Sequence, residues 1–271
     1  MKTLATLAYL LLTLAQDGPK TTQPVMKDEK RHLGFLEIAK KGGVDFLLMG
    51  DSITDGWRGG GKKVYSASFD EFKPANFGIG GDRTQHVLWR LQNGELDGIT
   101  PKLCMLMIGT NNGGDSAEDV AAGITAIVKE IQKKSPTTKV LLLGIFPRGE
   151  KPNAGREKND KVNTIVAKLD DAGKTVKYLD IGAKFMNEDK TISKEIMPDF
   201  LHLTEKGYQI WADAVLPTIK ELMAAKQGRD DESAPQIRHQ LEDERDAVLL
   251  EPALLLPVAR AEFRHLRPEL A

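Results

Sequence analysis

Five short apolar runs, separated by longer segments with helical periodicity, restrict this chain to a sheet whose strands are joined by helical crossovers. The runs fall at 45–49, 75–77, 103–108, 140–145 and 176–181. The run at 103–108 is apolar at every position and that at 140–145 is broken only by Gly144, as strands covered on both faces are. Helical spacing is clearest across 116–134, where Val120, Ile124, Ile127, Val128 and Ile131 recur at three- and four-residue steps behind Ser116 as a cap. Further helices are expected over 84–92, 156–171 and 205–223, the last with Ile210, Val215 and Ile219 on its apolar side. Alternation of this kind means an α/β fold, a parallel sheet with helices on both faces.

At 271 residues and 41% hydrophobic content the chain can bury one full α/β core. Its 38 basic and 39 acidic side chains nearly cancel, so no broad field attracts nucleic acid or an anionic bilayer, and a neutral or apolar substrate fits better. Cys104 is the sole cysteine and lies inside an apolar run, so it reads as an inert core residue, with no intramolecular disulfide. Residues 1–15 pair Lys2 with an apolar stretch ending in Thr13-Leu14-Ala15, the pattern of a short signal peptide. The stretch falls short of the roughly 20 apolar residues a membrane span needs. Secretion or export to a periplasm is the expectation, with a cytoplasmic location as the alternative and no stable membrane insertion. Past Lys226 the composition turns polar, placing one catalytic domain at 16–226 and a tail at 227–271 that is disordered or forms a docking helix.

Three strand ends and one loop carry side chains suited to acyl transfer, which needs a nucleophile, a base, a group to fix that base and oxyanion donors. Gly50-Asp51-Ser52 follows the first apolar run, putting the Ser52 hydroxyl at the carboxyl end of a strand, where open α/β sheets bind ligands. Asp199-Phe200-Leu201-His202 precedes the last helix. A carboxylate three residues before the histidine can hold one ring nitrogen while the other faces the serine, and Thr204 can cap the helix. Gly78-Ile79-Gly80-Gly81-Asp82 is a glycine-rich turn whose amides could cradle an anion. Its spacing lacks the complete dinucleotide fingerprint, which weakens a nucleotide-binding alternative. Gly109-Thr110-Asn111-Asn112 leaves a further strand and offers a side-chain amide to an oxyanion.

Gly50-Asp51-Ser52, Gly81 before Asp82, Gly109-Thr110-Asn111-Asn112 and Asp199-x-x-His202 together resemble the SGNH, or GDSL, hydrolases. Within that superfamily, the stretches 76–82, 86–91, 93–96, 147–153 and 199–204 are similar to catalytic subunits of intracellular platelet-activating-factor acetylhydrolase. The resemblance implies a flavodoxin-like three-layer α/β/α sandwich with a five-stranded parallel sheet and no cofactor or metal. It assigns Ser52 as nucleophile, His202 as base and Asp199 as its orienting acid. The oxyanion hole it implies consists of the Ser52 and Gly81 amides and the Asn111 side chain. The choice of Gly81 over Gly80 comes from the resemblance alone.

The segment Ile53-Thr54-Asp55-Gly56-Trp57-Arg58-Gly59-Gly60-Gly61 departs from the mammalian-type subunits, which turns the expected substrate from a phospholipid toward small, chiefly acetyl, esters of a carbohydrate or simple alcohol. Trp57 could stack on a sugar face or simply pack inside. The alternatives are a longer-chain lipase or lysophospholipase, a platelet-activating-factor-type acetylhydrolase, and a non-catalytic carbohydrate- or nucleotide-binding module. The resembled subunits also imply a homodimer.

Overall fold

Each apolar run becomes a strand: β1 Phe46–Gly50, β2 Pro74–Gly78, β3 Leu103–Met107, β4 Lys139–Leu143 and β5 Val176–Leu179. The computed structural model describes residues 18–224, so the expectations for 1–15 and 227–271 lie outside the described residues. All neighbouring strands pair in parallel, in the order β2-β1-β3-β4-β5. In this doubly wound arrangement the direction of building reverses between β1 and β3, which leaves a crevice beyond their carboxyl ends. Both Gly50-Asp51-Ser52 and Gly109-Thr110-Asn111-Asn112 leave the sheet at that point.

Successive strand residues point to opposite faces, and the two cores divide accordingly. Leu47, Met49, Cys104, Leu106, Val140 and Leu142 enter one core, where they meet helices α1 (Glu29–Lys41), α4 (Thr84–Gln92), α5 (Ala117–Lys134) and α6 (Ala154–Val166). Phe46, Leu48, Met105, Leu141 and Leu143 enter the other, against α3 (Lys62–Phe69) and α7 (Glu205–Ala224). Full burial of each such side chain stabilises the fold by about 1.5–3 kcal/mol. The three-layer sandwich is the architecture expected from the strand–helix alternation.

Element ends differ from expectation for local reasons. β4 stops at Leu143 because the Asn163 side chain captures the next strand-like residue: its Oδ1 accepts from the Ile145 amide at 2.7 Å and its Nδ2 donates to the Ile145 carbonyl at 3.1 Å. α6 begins two residues earlier than its apolar spacing suggests, since Asn153 caps it by accepting from the Gly155 and Arg156 amides. Ser116 caps α5 through the Asp119 amide, and Thr204 Oγ1 accepts from the Gly207 amide at the start of α7. α1 and α3 have no counterpart in the sequence reading. α1 buries only His32, Phe35 and Ala39 and leaves Leu33 and Ile38 exposed, so its apolar stripe is too thin to register.

Candidate active site

The turn out of β1 is built for close approach. A side chain at Gly50 would collide with Thr54 Oγ1 and the Met107 carbonyl, so only glycine lets the chain leave the sheet here. Asp51 then caps the one-turn helix α2 (Ser52–Asp55) by accepting from the Ile53 amide at 3.0 Å. Ser52 is thereby the first helical residue, with its hydroxyl at the crevice.

On the opposite rim, Asp199-Phe200-Leu201-His202 folds back on itself. Phe200 adopts a left-handed backbone at φ 59°, a conformation that costs an aromatic residue about 1–3 kcal/mol and persists only where its surroundings enforce it. They do: the Phe200 amide donates to the Met197 carbonyl at 3.0 Å, and its carbonyl accepts from the Gly149 amide at 2.8 Å. The reversal lets Asp199 Oδ1 accept from the amides of Leu201 (3.1 Å) and His202 (2.7 Å), while Oδ2 stands 2.6 Å from His202 Nδ1. His202 Nε2 lies 2.9 Å from Ser52 Oγ across 150 residues of sequence. Partial burial pushes the Asp199 carboxyl up, but these hydrogen bonds outweigh it and hold its pKa below the ordinary carboxylate value. Both side chains of the pair are about half exposed, 44% for His202 and 54% for Asp199, so the site is open to solvent.

The glycine turn lies against the serine. Ile79 to Asp82 closes through a hydrogen bond from the Asp82 amide to the Ile79 carbonyl, with Gly81 at φ 74°. A side-chain carbon on Gly80 would stand 3.9 Å from Ser52 Cβ. The Asn111 side-chain amide reaches the same turn, donating to the Asp82 carbonyl at 2.9 Å. Its loop is held from both sides. Arg148 bonds the Thr110 carbonyl, Lys158 bonds the carbonyls of Asn112 and Gly113, and Asn112 Oδ1 accepts from the Thr84 amide. Among the described residues no group of three or more side chains is placed to hold a metal ion, and no helix is long and apolar enough to cross a membrane.

Trp57 is 1% exposed and packs among Tyr65, Phe69, Tyr208 and Trp211. It is a core residue, closed off from stacking on a sugar face. The glycines around it have the same cause, since a side chain at Gly56 or Gly61 would run into the Tyr208 ring. Two features of the site escaped the sequence reading. One is a buried ionic cluster of Asp82, Arg90 and Glu95 behind the glycine turn. The signal for it was present: Arg90 interrupts the apolar set Val87, Leu88 and Leu91 on α4, a charge on a core face.

The other is Asp51 itself. It is fully buried and its Oδ2 has no hydrogen-bond partner. Burial pushes its pKa up to about 7, the nearby Asp82 carboxylate adds to the rise, and the Ile53 hydrogen bond and His202 oppose it. A folded-state pKa above the unfolded one means that ionisation opposes folding, so the stability held below about pH 4 is lost as pH rises through 7. Asp51→Asn keeps the cap acceptor and removes the titration. Relative to the parent, this variant is expected to gain about 2–3 kcal/mol in unfolding free energy between pH 5 and pH 8, measured by urea denaturation. An unchanged difference at the two pH values would show that Asp51 does not titrate in this range.

A serine at the switch point of a parallel sheet, in hydrogen-bond contact with a histidine that in turn contacts a carboxylate, is the side-chain arrangement that acyl transfer at a serine requires. The profile of the GDSL-like lipase/acylhydrolase family matches residues 48–210, and the chain belongs to that family. It is 42% identical over 193 residues to platelet-activating factor acetylhydrolase IB subunit alpha2 of Rattus norvegicus, covering 70% of this chain and 83% of the relative. Its fold is shared with a lipolytic G-D-S-L family protein from Veillonella parvula (TM-score 0.56, 20% identity, 65% of this chain and 97% of the other). It is shared too with Est24, a carbohydrate acetylesterase from Sinorhizobium meliloti (TM-score 0.53, 16% identity, 65% and 98%). The protein is a carboxylic ester hydrolase.

Proposed function

We propose that the protein hydrolyses short-chain, chiefly acetyl, esters of a carbohydrate or small alcohol through an acyl-enzyme on Ser52. The observation that carries the mechanism is the 2.9 Å contact between Ser52 Oγ and His202 Nε2, continued at 2.6 Å from Nδ1 to Asp199. Ser52 Oγ attacks the ester carbonyl carbon as His202 takes its proton. Collapse of the tetrahedral intermediate breaks the bond to the alcohol oxygen, which leaves with that proton. Water then attacks the acyl carbon as His202 takes a proton from it, the bond from that carbon to Oγ breaks, His202 returns the proton to Oγ, and the free acid departs. The developing oxyanion is received by the Ser52 and Gly81 amides and the Asn111 side chain. Because the working base is the neutral imidazole, activity falls in acid.

The acetyl preference is supported by the acetylhydrolase relative at 42% identity. The half-exposed His202 and Asp199 suit a polar alcohol that remains in solvent, where it keeps its hydration. The test is a hydrolysis series of p-nitrophenyl esters from acetyl to dodecanoyl, alongside acetylated xylan and acetylated monosaccharides. The expected result is a maximum in kcat/KM at acetyl, with a fall of at least about tenfold by octanoyl. A maximum at octanoyl or longer would make the protein a longer-chain lipase.

A further inference from the structure

We propose that Arg90, a buried residue that touches none of the reacting groups, is a positioning residue that sets two of the three oxyanion donors, the Gly81 amide and the Asn111 side chain, through Asp82. The proposal rests on the mechanism above. Its basis is the way Asp82 is held: every polar group of that residue has a directed partner. The amide closes the turn onto Ile79, and the carbonyl accepts from the Asn111 side chain at 2.9 Å. Oδ2 accepts from Arg90 Nε at 3.1 Å and Nη2 at 2.9 Å, and Oδ1 faces Lys27 Nζ at 3.4 Å. Gly81 directly precedes Asp82, so rotation of the Asp82 backbone would move the Gly81 amide and the acceptor of the Asn111 amide together. One N–H of the Asn111 side chain is occupied by that carbonyl, which leaves the other for an oxyanion.

Arg90 is itself fixed at its far end. Its Nη1 donates to Glu95, and Glu95 Oε1 lies 3.0 Å from His32 Nδ1. Asp82, Arg90, Glu95 and His32 are 1%, 2%, 0% and 5% exposed. Such a cluster is a poor device for stability, because burying charges costs several kcal/mol per ion and an apolar trio of equal volume often serves as well. What apolar side chains cannot do is fix a backbone carbonyl and a turn in one orientation, which the planar guanidinium fork does by gripping two carboxylates at once.

The test is a coupling cycle on p-nitrophenyl acetate using Arg90→Lys, which keeps the charge and loses the fork, and Asn111→Ala. Arg90→Lys alone is expected to lower kcat at least about tenfold, with KM within about twofold and an unchanged pH profile, because the base is untouched. In the Asn111→Ala background, which by itself lowers kcat about 10²–10³-fold, the further loss should shrink to about threefold, the remainder being the Gly81 amide that Arg90 still sets. An unchanged kcat in Arg90→Lys, or the same loss in both backgrounds, would overturn the proposal. Asp82→Asn, run through the same cycle, serves if Arg90→Lys does not fold, and loss of the fold in both would make the cluster structural and overturn it equally. Wild-type activity in Ser52→Ala would instead overturn the mechanism on which the proposal rests.

Discussion

Ser52→Ala is expected to lower kcat on p-nitrophenyl acetate by about 10⁴-fold or more and to abolish labelling by a fluorophosphonate probe. The magnitude follows from what the hydroxyl is asked to do. An alcohol is a weak nucleophile at neutral pH, and covalent catalysis depends on a base positioned to take its proton as the bond to carbon forms. His202 Nε2, the base in the proposed mechanism, stands 2.9 Å from Oγ. Without Oγ the acyl-enzyme cannot form, and only the oxyanion donors and binding remain to assist direct attack by water. The fold should survive, since Ser52 Oγ contributes a contact to His202 while the Ile53 amide and Asp51 hold the turn. Far-UV circular dichroism and thermal unfolding check that separation. A folded variant with more than about one hundredth of parental activity would move the nucleophile elsewhere.

The parts of this architecture that could be read from sequence are those in which one local pattern determines one structural fact. A strand buried on both faces must be apolar throughout, so Leu103 to Met107 announces itself, and all five runs lie in the sheet. Ser52 and His202 were legible because each sits beside an element boundary that its neighbours signal, Gly50 on one side and Thr204 on the other. What was not legible depends on partners distant in sequence. Nothing in Asp51 reveals that its second oxygen is sealed from water, nor in Trp57 that four aromatic rings close over it. The left-handed turn at Phe200 is set by Gly149 and Met197, not by any preference of phenylalanine. Arg90 illustrates the boundary between the two cases: its place on an apolar helix face was visible, whereas its partners Asp82 and Glu95 needed coordinates.

His202→Ala should cost about as much as loss of the serine, on the order of 10⁴-fold or more in kcat, and the double variant with Ser52→Ala should be little worse than either alone. Residues that act as a unit are non-additive, and these two form one proton path: without the imidazole the hydroxyl keeps its proton, and without the hydroxyl the imidazole has nothing to activate in acylation. Asp199→Asn tests the third member differently. An asparagine can still accept from the Leu201 and His202 amides through Oδ1, so the reversed loop is retained. It would present an N–H to Nδ1, favouring the wrong imidazole tautomer and removing the negative charge that stabilises the imidazolium. The loss should therefore be large but smaller than for His202→Ala, because with Asp199 54% exposed water can replace part of the interaction. Since hydrogen bonds hold the Asp199 carboxyl below the ordinary carboxylate range, its charge persists throughout pH 5 to 8 and is lost only below that range. Asp199 therefore adds no inflection to the activity profile in that window, whereas Asp51, whose pKa burial pushes up to about 7, titrates inside it. A stopped-assay profile with two inflections between pH 5 and 8 that loses one of them in Asp51→Asn, which removes the buried carboxyl beside the nucleophile, would couple Asp51 to the reaction, and an identical profile in the variant would separate it from the chemistry.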